Sequence, residues 1–437
     1  LTKSSKNKAE NKKQKKKKRT EKRTENRKEE RRESSMNSKP NGVCAPEGFY
    51  AGAAFAGVKA SGTKDDVAIL YSSTPCSAAA VYTSNKVKAD CLQVTKEHIA
   101  AGNLQAVVVN SGNANAVAPN GYANAVKTAD AAAAKLHLSP DQIAVASTGV
   151  IGVELPAEKI VKAIDKIELS KDGSDAAAHA IMTTDTKEKT AVETFTVSGV
   201  TCTMGAICKG SGMIHPNMGT MLCFITTDAA IDPALLEKAL QKAVKRTFNC
   251  VSVDGDTSTN DMCLVMANGQ AKNPEITAED EDYAEFYKAL YSIMEKMAIA
   301  IASDGEGASR LMTVTVKNAK EERQAYTLAR SVACSTLFKA ALFGKDANWG
   351  RVVCALGYAD TDFDVKGVDI TFESKAGSLP VFINGLACGF DEEHASKVLG
   401  EDAVTVLIDL HKGEQECTCW GCDLTYDYVR INGDYRT

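Results

Sequence analysis

Nowhere in the 437 residues does an apolar run approach the ~20 residues that a membrane-spanning helix needs. Other familiar signatures are missing as well. None of the glycine-rich stretches has the G-x-G-x-x-G or G-x-x-x-x-G-K-[ST] spacing of a nucleotide loop. The G-x-S-x-G turn of many serine hydrolases is absent, because "GSG" at 210–212 lacks the flanking spacing. No repeat of fixed period is visible, which argues against a solenoid or propeller. The six histidines, His98, His137, His179, His215, His394 and His411, form no metal-ligand pair. His137 and His179 fall in helix-like stretches as surface residues, whereas His215, just before Pro216 and close to Thr220, has a supporting role open to it.

The beginning of the chain lacks apolar residues almost entirely. Residues 1–35 hold sixteen Lys/Arg against six Glu, a local +10, so the total of -4 leaves -14 for the remainder. Such a segment cannot bury enough surface to fold and is expected to be disordered. It has no apolar stretch for a signal peptide, and its glutamates argue against a mitochondrial transit peptide, so a cytoplasmic protein is expected. Lysine clusters can hold nucleic acid without sequence preference. The favoured expectation is instead an upstream or non-native extension that contributes nothing to function, with globular composition starting after Met36 and neither nucleic acid nor membrane as partner.

Cysteine, by contrast, is plentiful. The fourteen are scattered through a long chain, which suits reduced thiols better than a disulfide framework. Cys417, Cys419 and Cys422 of "CTCWGC" are the tightest group, with His411 the nearest further ligand type; the spacing is not that of a usual zinc site, and no metal is expected. Asp254, Asp256, Asn260 and Asp261 of "VDGDTSTND" resemble a calcium loop, but Val265 stands where an EF-hand needs its glutamate. Hydrogen bonding that orders an active-site loop is the expectation there.

Apolar periodicity alternates between strand and helix. Strands are expected at 104–110 and 142–148, with helices near 121–137, 155–167 and 175–183. A hairpin is expected around Ser198 and Gly199. "MLCFITTD" and "DMCLVMA" read as strands flanking a helix capped by Asp232 and opened by Pro233. Further helices are expected across 280–302, 322–342 and 350–358, with the strand "RLMTVTV" among them and a strand-rich C-terminal part. The class is mixed α/β, layered sheets covered by helices.

The stretch "KGSGMIHPNMGTML", residues 209–222, runs from small pliable residues into a strand. A threonine hydroxyl is a weak nucleophile unless a base stands beside it, and an N-terminal threonine supplies one in its own α-amine. That chemistry requires a cut between Gly219 and Thr220. These residues resemble the self-cleavage motif of the ArgJ family, ornithine acetyltransferase or glutamate N-acetyltransferase of the cyclic arginine pathway. "NSGNANA", "ASTGVIG", "IMTTDT", "VDGDTSTND", "SDGEGAS", "DANWGR" and "WGCDLTYDYVRINGDYRT" extend the resemblance, in order, from about residue 42 to the end.

The resemblance implies an ArgJ/DmpA-like self-processing fold, with an α chain of 36–219 and a β chain of 220–437 that stay together as α2β2. Many family members carry Ala at the position of Gly219. Thr220 would be the nucleophile, passing acetyl from N-acetylornithine to glutamate, with Thr148 and Gly149 as the oxyanion hole. Thr183 (or its neighbour Thr184), Lys209, Thr220, Glu306, Asn432 and Thr437 match the family's substrate-binding positions. No cofactor is implied, although acetyl-CoA is possible as an acetyl-donor substrate. The alternative is an N-terminal-nucleophile amidohydrolase or aminopeptidase, which would hand the acyl group to water.

Overall fold

The structure, a computed structural model, describes residues 41–59, 62–215 and 221–433. The extension 1–35, the proposed cleavage pair Gly219–Thr220 and the terminal Thr437 lie outside the described residues.

Fifteen strands form two sheets among the described residues. In chain order, β1 (Phe49–Ala54), β2 (Val67–Tyr82), β3 (Leu104–Asn113), β4 (Ile143–Val150), β5 (Lys189–Val197), β6 (Val200–Lys209), β7 (Leu222–Thr227) and β9 (Met262–Ala267) make the first. Its order is β4-β3-β2-β9-β7-β6-β5, and β1 also pairs with β2. The second takes β8 (Val251–Ser252), β10 (Leu311–Ala319), β11 (Asp369–Ser374), β12 (Gly377–Ile383), β13 (Leu386–Ala387), β14 (Ala403–Asp409) and β15 (Gln415–Cys422), in the order β13-β12-β11-β14-β10-β15-β8.

The centre of the first sheet is apolar on both faces, as covered central strands must be. Along β7, Leu222 and Phe224 join one core with the helices Asp90–Ala100, Gly121–Leu136, Ala157–Ile164 and Ser174–Ala180. Cys223 and Ile225 join the other, with the helices Pro233–Arg246 and Glu281–Ser303. The same core takes in Met312, Val314 and Val316, alternate residues of β10, so these helices lie between the two sheets. The layered α/β class read from the periodicity is thus the observed one.

Local signals account for several boundaries. Ser198 and Gly199 both have positive φ, 46° and 81°, joining β5 to β6 by the two-residue turn that twisted hairpins favour. Asp232 accepts the backbone N–H groups of Ala234 and Leu235, and Pro233 opens the helix. One expectation is corrected: residues 322–342 are two helices, Glu322–Cys334 and Thr336–Phe343. Ser335 breaks them because it takes an extended conformation and caps the second helix, accepting from Phe338 N.

Candidate active site

Sheet geometry gathers the sequence-named residues. Thr148 and Gly149 stand near the end of β4, and Lys209 is the last residue of β6. Thr183 and Thr184 follow the helix Ser174–Ala180, Glu306 follows the long helix ending at Ser303, and Asn432 belongs to the helix Tyr426–Gly433. All seven line one cavity, together with Ser258, Thr259 and Asn260 from the loop before β9. Thr183 and Thr184 both face it, so both are available to a ligand.

Gly149 has a φ of +136°, and a Cβ there would come within 2.3 Å of the Gly112 carbonyl carbon on the neighbouring strand. Glycine is therefore required by both backbone conformation and close approach. Lys209 Nζ donates to Thr148 Oγ1 at 3.2 Å. The Thr148 hydroxyl accepts that bond, which leaves its own proton for another acceptor. In the same lining Asn432 Nδ2 donates to Glu306 Oε2 at 2.7 Å. Lys209 and Glu306 are only 8% and 7% exposed, so both charges act where water screens them little. Gly212 leaves room for the Glu306 carboxylate, whose atoms would lie 2.3–2.4 Å from any Cβ at that position.

A buried ion cluster braces the cavity walls. Lys189 Nζ lies 2.7 Å from Asp185 Oδ1 and 2.6 Å from Asp304 Oδ2. Asp185 also accepts from Gly210 N at 2.7 Å and Thr183 N at 3.0 Å, tying two segments that border the cavity to one carboxylate. Burial alone would raise the Asp185 carboxyl, but the charges of Lys209 and Lys189 and its hydrogen bonds outweigh that and hold it at about 2. Lys189 is raised: burial works against its charge, and the two carboxylates overcome it. Asp185 and Asp304 both sit inside the quoted motifs "IMTTDT" and "SDGEGAS", yet sequence reasoning gave them no role. Their partnership with Lys189 is made only by folding.

The "VDGDTSTND" loop orders its surroundings as expected. Asp254 accepts from Met213 N at 2.6 Å and Ile214 N at 2.9 Å, although burial raises its carboxyl. Asp261 is fully buried, which pushes its carboxyl well above the usual range, and its Oδ2 has no hydrogen-bond partner among the described residues. The next residue, Met262, donates its N–H to Met221 O at 2.9 Å, fixing the start of the β7 segment.

His215 lines a neighbouring groove with Asn85, Thr257, Tyr326 and Arg330. Its Nδ1 is 3.0 Å from Ser252 Oγ, and burial, helped by the Arg330 charge, lowers the imidazole to about 4. Of the "CTCWGC" thiols, Cys417 and Cys419 lie together, while Cys422 Sγ sits 3.7 Å from Lys339 Nζ. His411 pairs with Asp369 and Asp409. The third sulfur beside Cys417 and Cys419 belongs to Cys250, which sequence spacing could not supply.

Two stacked sheets around shared helices, with a polar cavity at the strand ends lined by a buried lysine and a buried glutamate, define an α/β enzyme built for a small charged substrate. Residues 50–437 match the model of the ArgJ family, and the chain belongs to that family. It is 51% identical over 400 residues to the arginine biosynthesis bifunctional protein ArgJ of Symbiobacterium thermophilum, covering 91% of this chain and 98% of that one. The protein of the same name from Caldanaerobacter subterraneus is 48% identical over 395 residues, with 90% and 98% covered. A crystal structure of the arginine biosynthesis bifunctional protein argJ from Bacillus halodurans is 45% identical, covers 48% of this chain and 98% of that chain, and has a TM-score of 0.46.

Proposed function

We propose that the chain is a self-cleaving acetyltransferase of arginine biosynthesis, which moves acetyl from N2-acetyl-L-ornithine to L-glutamate through an acetyl ester on Thr220. The observation that carries this reading is the cavity itself. Thr148 and Gly149, near the end of β4, line it beside Lys209, with Glu306 and Asn432 on the same lining. Family membership and the name shared by the curated relatives support it.

Cleavage between Gly219 and Thr220 frees the α-amine of Thr220, which serves as base for its own hydroxyl. The hydroxyl oxygen attacks the acetyl carbonyl, and the oxyanion receives the Thr148 O–H and the Gly149 N–H. The carbon–nitrogen bond then breaks, ornithine leaves with the proton, and acetyl remains on Thr220. Glutamate enters the same cavity, its amine attacks the ester, and N-acetylglutamate departs as the threonine hydroxyl is restored. Lys209 is the counter-charge for the α-carboxylate common to both substrates, and Glu306 is the partner for the ornithine ammonium. Thr183, Asn432 and Thr437 complete the substrate contacts. Glutamate acetylation from acetyl-CoA is the assay that decides whether acetyl-CoA is a second acetyl donor, which would make the enzyme bifunctional. The α and β chains stay paired, as α2β2, in the cytoplasm.

Denaturing mass spectrometry of the active protein is expected to give two fragments, the second beginning at Thr220. A single uncut chain with full activity would sink the mechanism. Thr220→Ala should be uncut and inactive, and ornithine release from N-acetylornithine should require glutamate. Release that proceeds equally without glutamate would identify a hydrolase.

A further inference from the structure

Cys417 and Cys419 are two residues apart on β15, so both side chains leave the same face of the second sheet. β8 runs parallel beside that strand with Val251 opposite Trp420, which brings Cys250, one residue earlier, alongside Cys419. The three sulfur atoms all lie within 4.8 Å of one another, and Cys250 Sγ is 3.9 Å from Cys417 Sγ. All three residues are buried. Two sulfurs bound to one tetrahedral ion with bonds of ~2.3 Å stand about 3.8 Å apart, so Cys250 and Cys417 are spaced for an ion between them, with the Cys419 sulfur within 4.8 Å of both.

The surroundings suit that occupant. Three thiolates around a divalent ion keep one net negative charge, and two guanidinium groups are at hand. Arg246, whose Nε also lies 2.8 Å from Glu322 Oε1, lines a groove of about 570 Å³ together with Glu322, Cys417 and Tyr326. Arg330 donates to the carbonyl oxygen of Asn249, the residue before Cys250. Sulfur-only donors select soft ions over magnesium or calcium. Because Cys417 borders the groove, an ion has a route in and solvent for its fourth ligand.

We propose that Cys250, Cys417 and Cys419 form a three-thiolate site for a divalent ion of the zinc class, apart from the substrate cavity and open to the groove beside Arg246. Bound there, the ion clamps β8 to β15 and so fixes the edge of the second sheet. The site is independent of the catalytic reading, because none of its ligands lines the substrate cavity.

Full-length, reduced, metal-stripped protein should be titrated with Co2+, which reports sulfur coordination by a thiolate-to-cobalt charge-transfer band, and then with Zn2+ in competition with a chromophoric chelator. One equivalent of each is expected, together with a rise in melting temperature on adding Zn2+. Cys417→Ser, at the groove edge, and Cys419→Ser should each weaken Zn2+ binding by more than ~100-fold and abolish the band. Cys354→Ser, which removes an exposed thiol elsewhere, should leave both unchanged. If Cys419→Ser fails to fold, Cys417→Ser decides the matter. Absence of the charge-transfer band in the unaltered protein, or equal Zn2+ affinity in Cys417→Ser, overturns the proposal.

Discussion

Replacing Asp185 by asparagine tests whether the buried ion cluster holds the cavity walls. The carboxylate has Lys189 Nζ at 2.7 Å and accepts two backbone N–H groups, from Gly210 and Thr183. An amide offers one oxygen and one NH2, so at least one of those N–H groups would face a donor. Removing one partner of a buried pair costs ~3–5 kcal/mol, and since Asp304 remains on Lys189 the lower end, about 3 kcal/mol, applies. The titration gives a second route to the magnitude. The folded carboxyl sits at about 2 against an ordinary 3.8, a difference worth about 2 kcal/mol.

The sign of that contribution is fixed, because the folded value is the depressed one. The stabilisation is fully present above about pH 4 and is lost as pH falls through about 2. Urea denaturation at pH 7 should therefore separate Asp185→Asn from the unaltered protein by about 2–3 kcal/mol, and the gap should narrow as the pH is taken to about 2.5. A gap below about 1 kcal/mol at pH 7, or one that stays constant with acid, would refute the assignment of Asp185 as the ionised hub. Activity should fall in the same variant, since Thr183 or Gly210 loses its anchor.

Two substitutions probe the cavity directly. Thr148→Val, which keeps the shape and removes the hydroxyl, should lower kcat by ~100- to 1,000-fold with little change in KM; a loss of less than about threefold would exclude that hydroxyl as an oxyanion donor. Gly212→Ala should push the Glu306 carboxylate from its position and raise KM for N-acetylornithine ~10-fold, about 1.4 kcal/mol of binding, while the urea midpoint stays constant. An unchanged KM would separate Glu306 from ammonium recognition.

Strands with uninterrupted apolar runs were legible before folding. β3, β4, β7 and β9 all lie within a few residues of the expected ranges. β2 was not, because its sixteen residues include Ser72, Ser73, Thr74 and Pro75 in the middle. The structure accommodates the proline where pairing with β3 shifts register between Tyr71 and Cys76, and Pro75 is exposed. A proline at such an irregularity forfeits no ladder bond, so a rule that breaks strands at proline fails there.

The cavity was legible for a related reason. Its residues occupy small-residue turns at strand and helix ends, where an α/β fold opens pockets. What holds them was not. Asp185 and Lys189 are neighbours in sequence, but Asp304 is more than a hundred residues away, and nothing in local patterning pairs them. Cys250 and Cys417 illustrate the same limit, since only the parallel contact of β8 with β15 brings them together.

The strand order β2-β9-β7-β6 has a biosynthetic consequence. If the chain is cut before Thr220, β7 and β9 come from the second piece and are held on both sides by strands of the first. Neither piece made alone would have a finished sheet: the second would expose both margins of its strand pair, and the first would carry a slot two strands wide. Two such products, translated separately, would meet as aggregation-prone halves. Synthesis as one polypeptide, assembled before it is divided, removes that hazard and fixes the ratio of the two products at one to one.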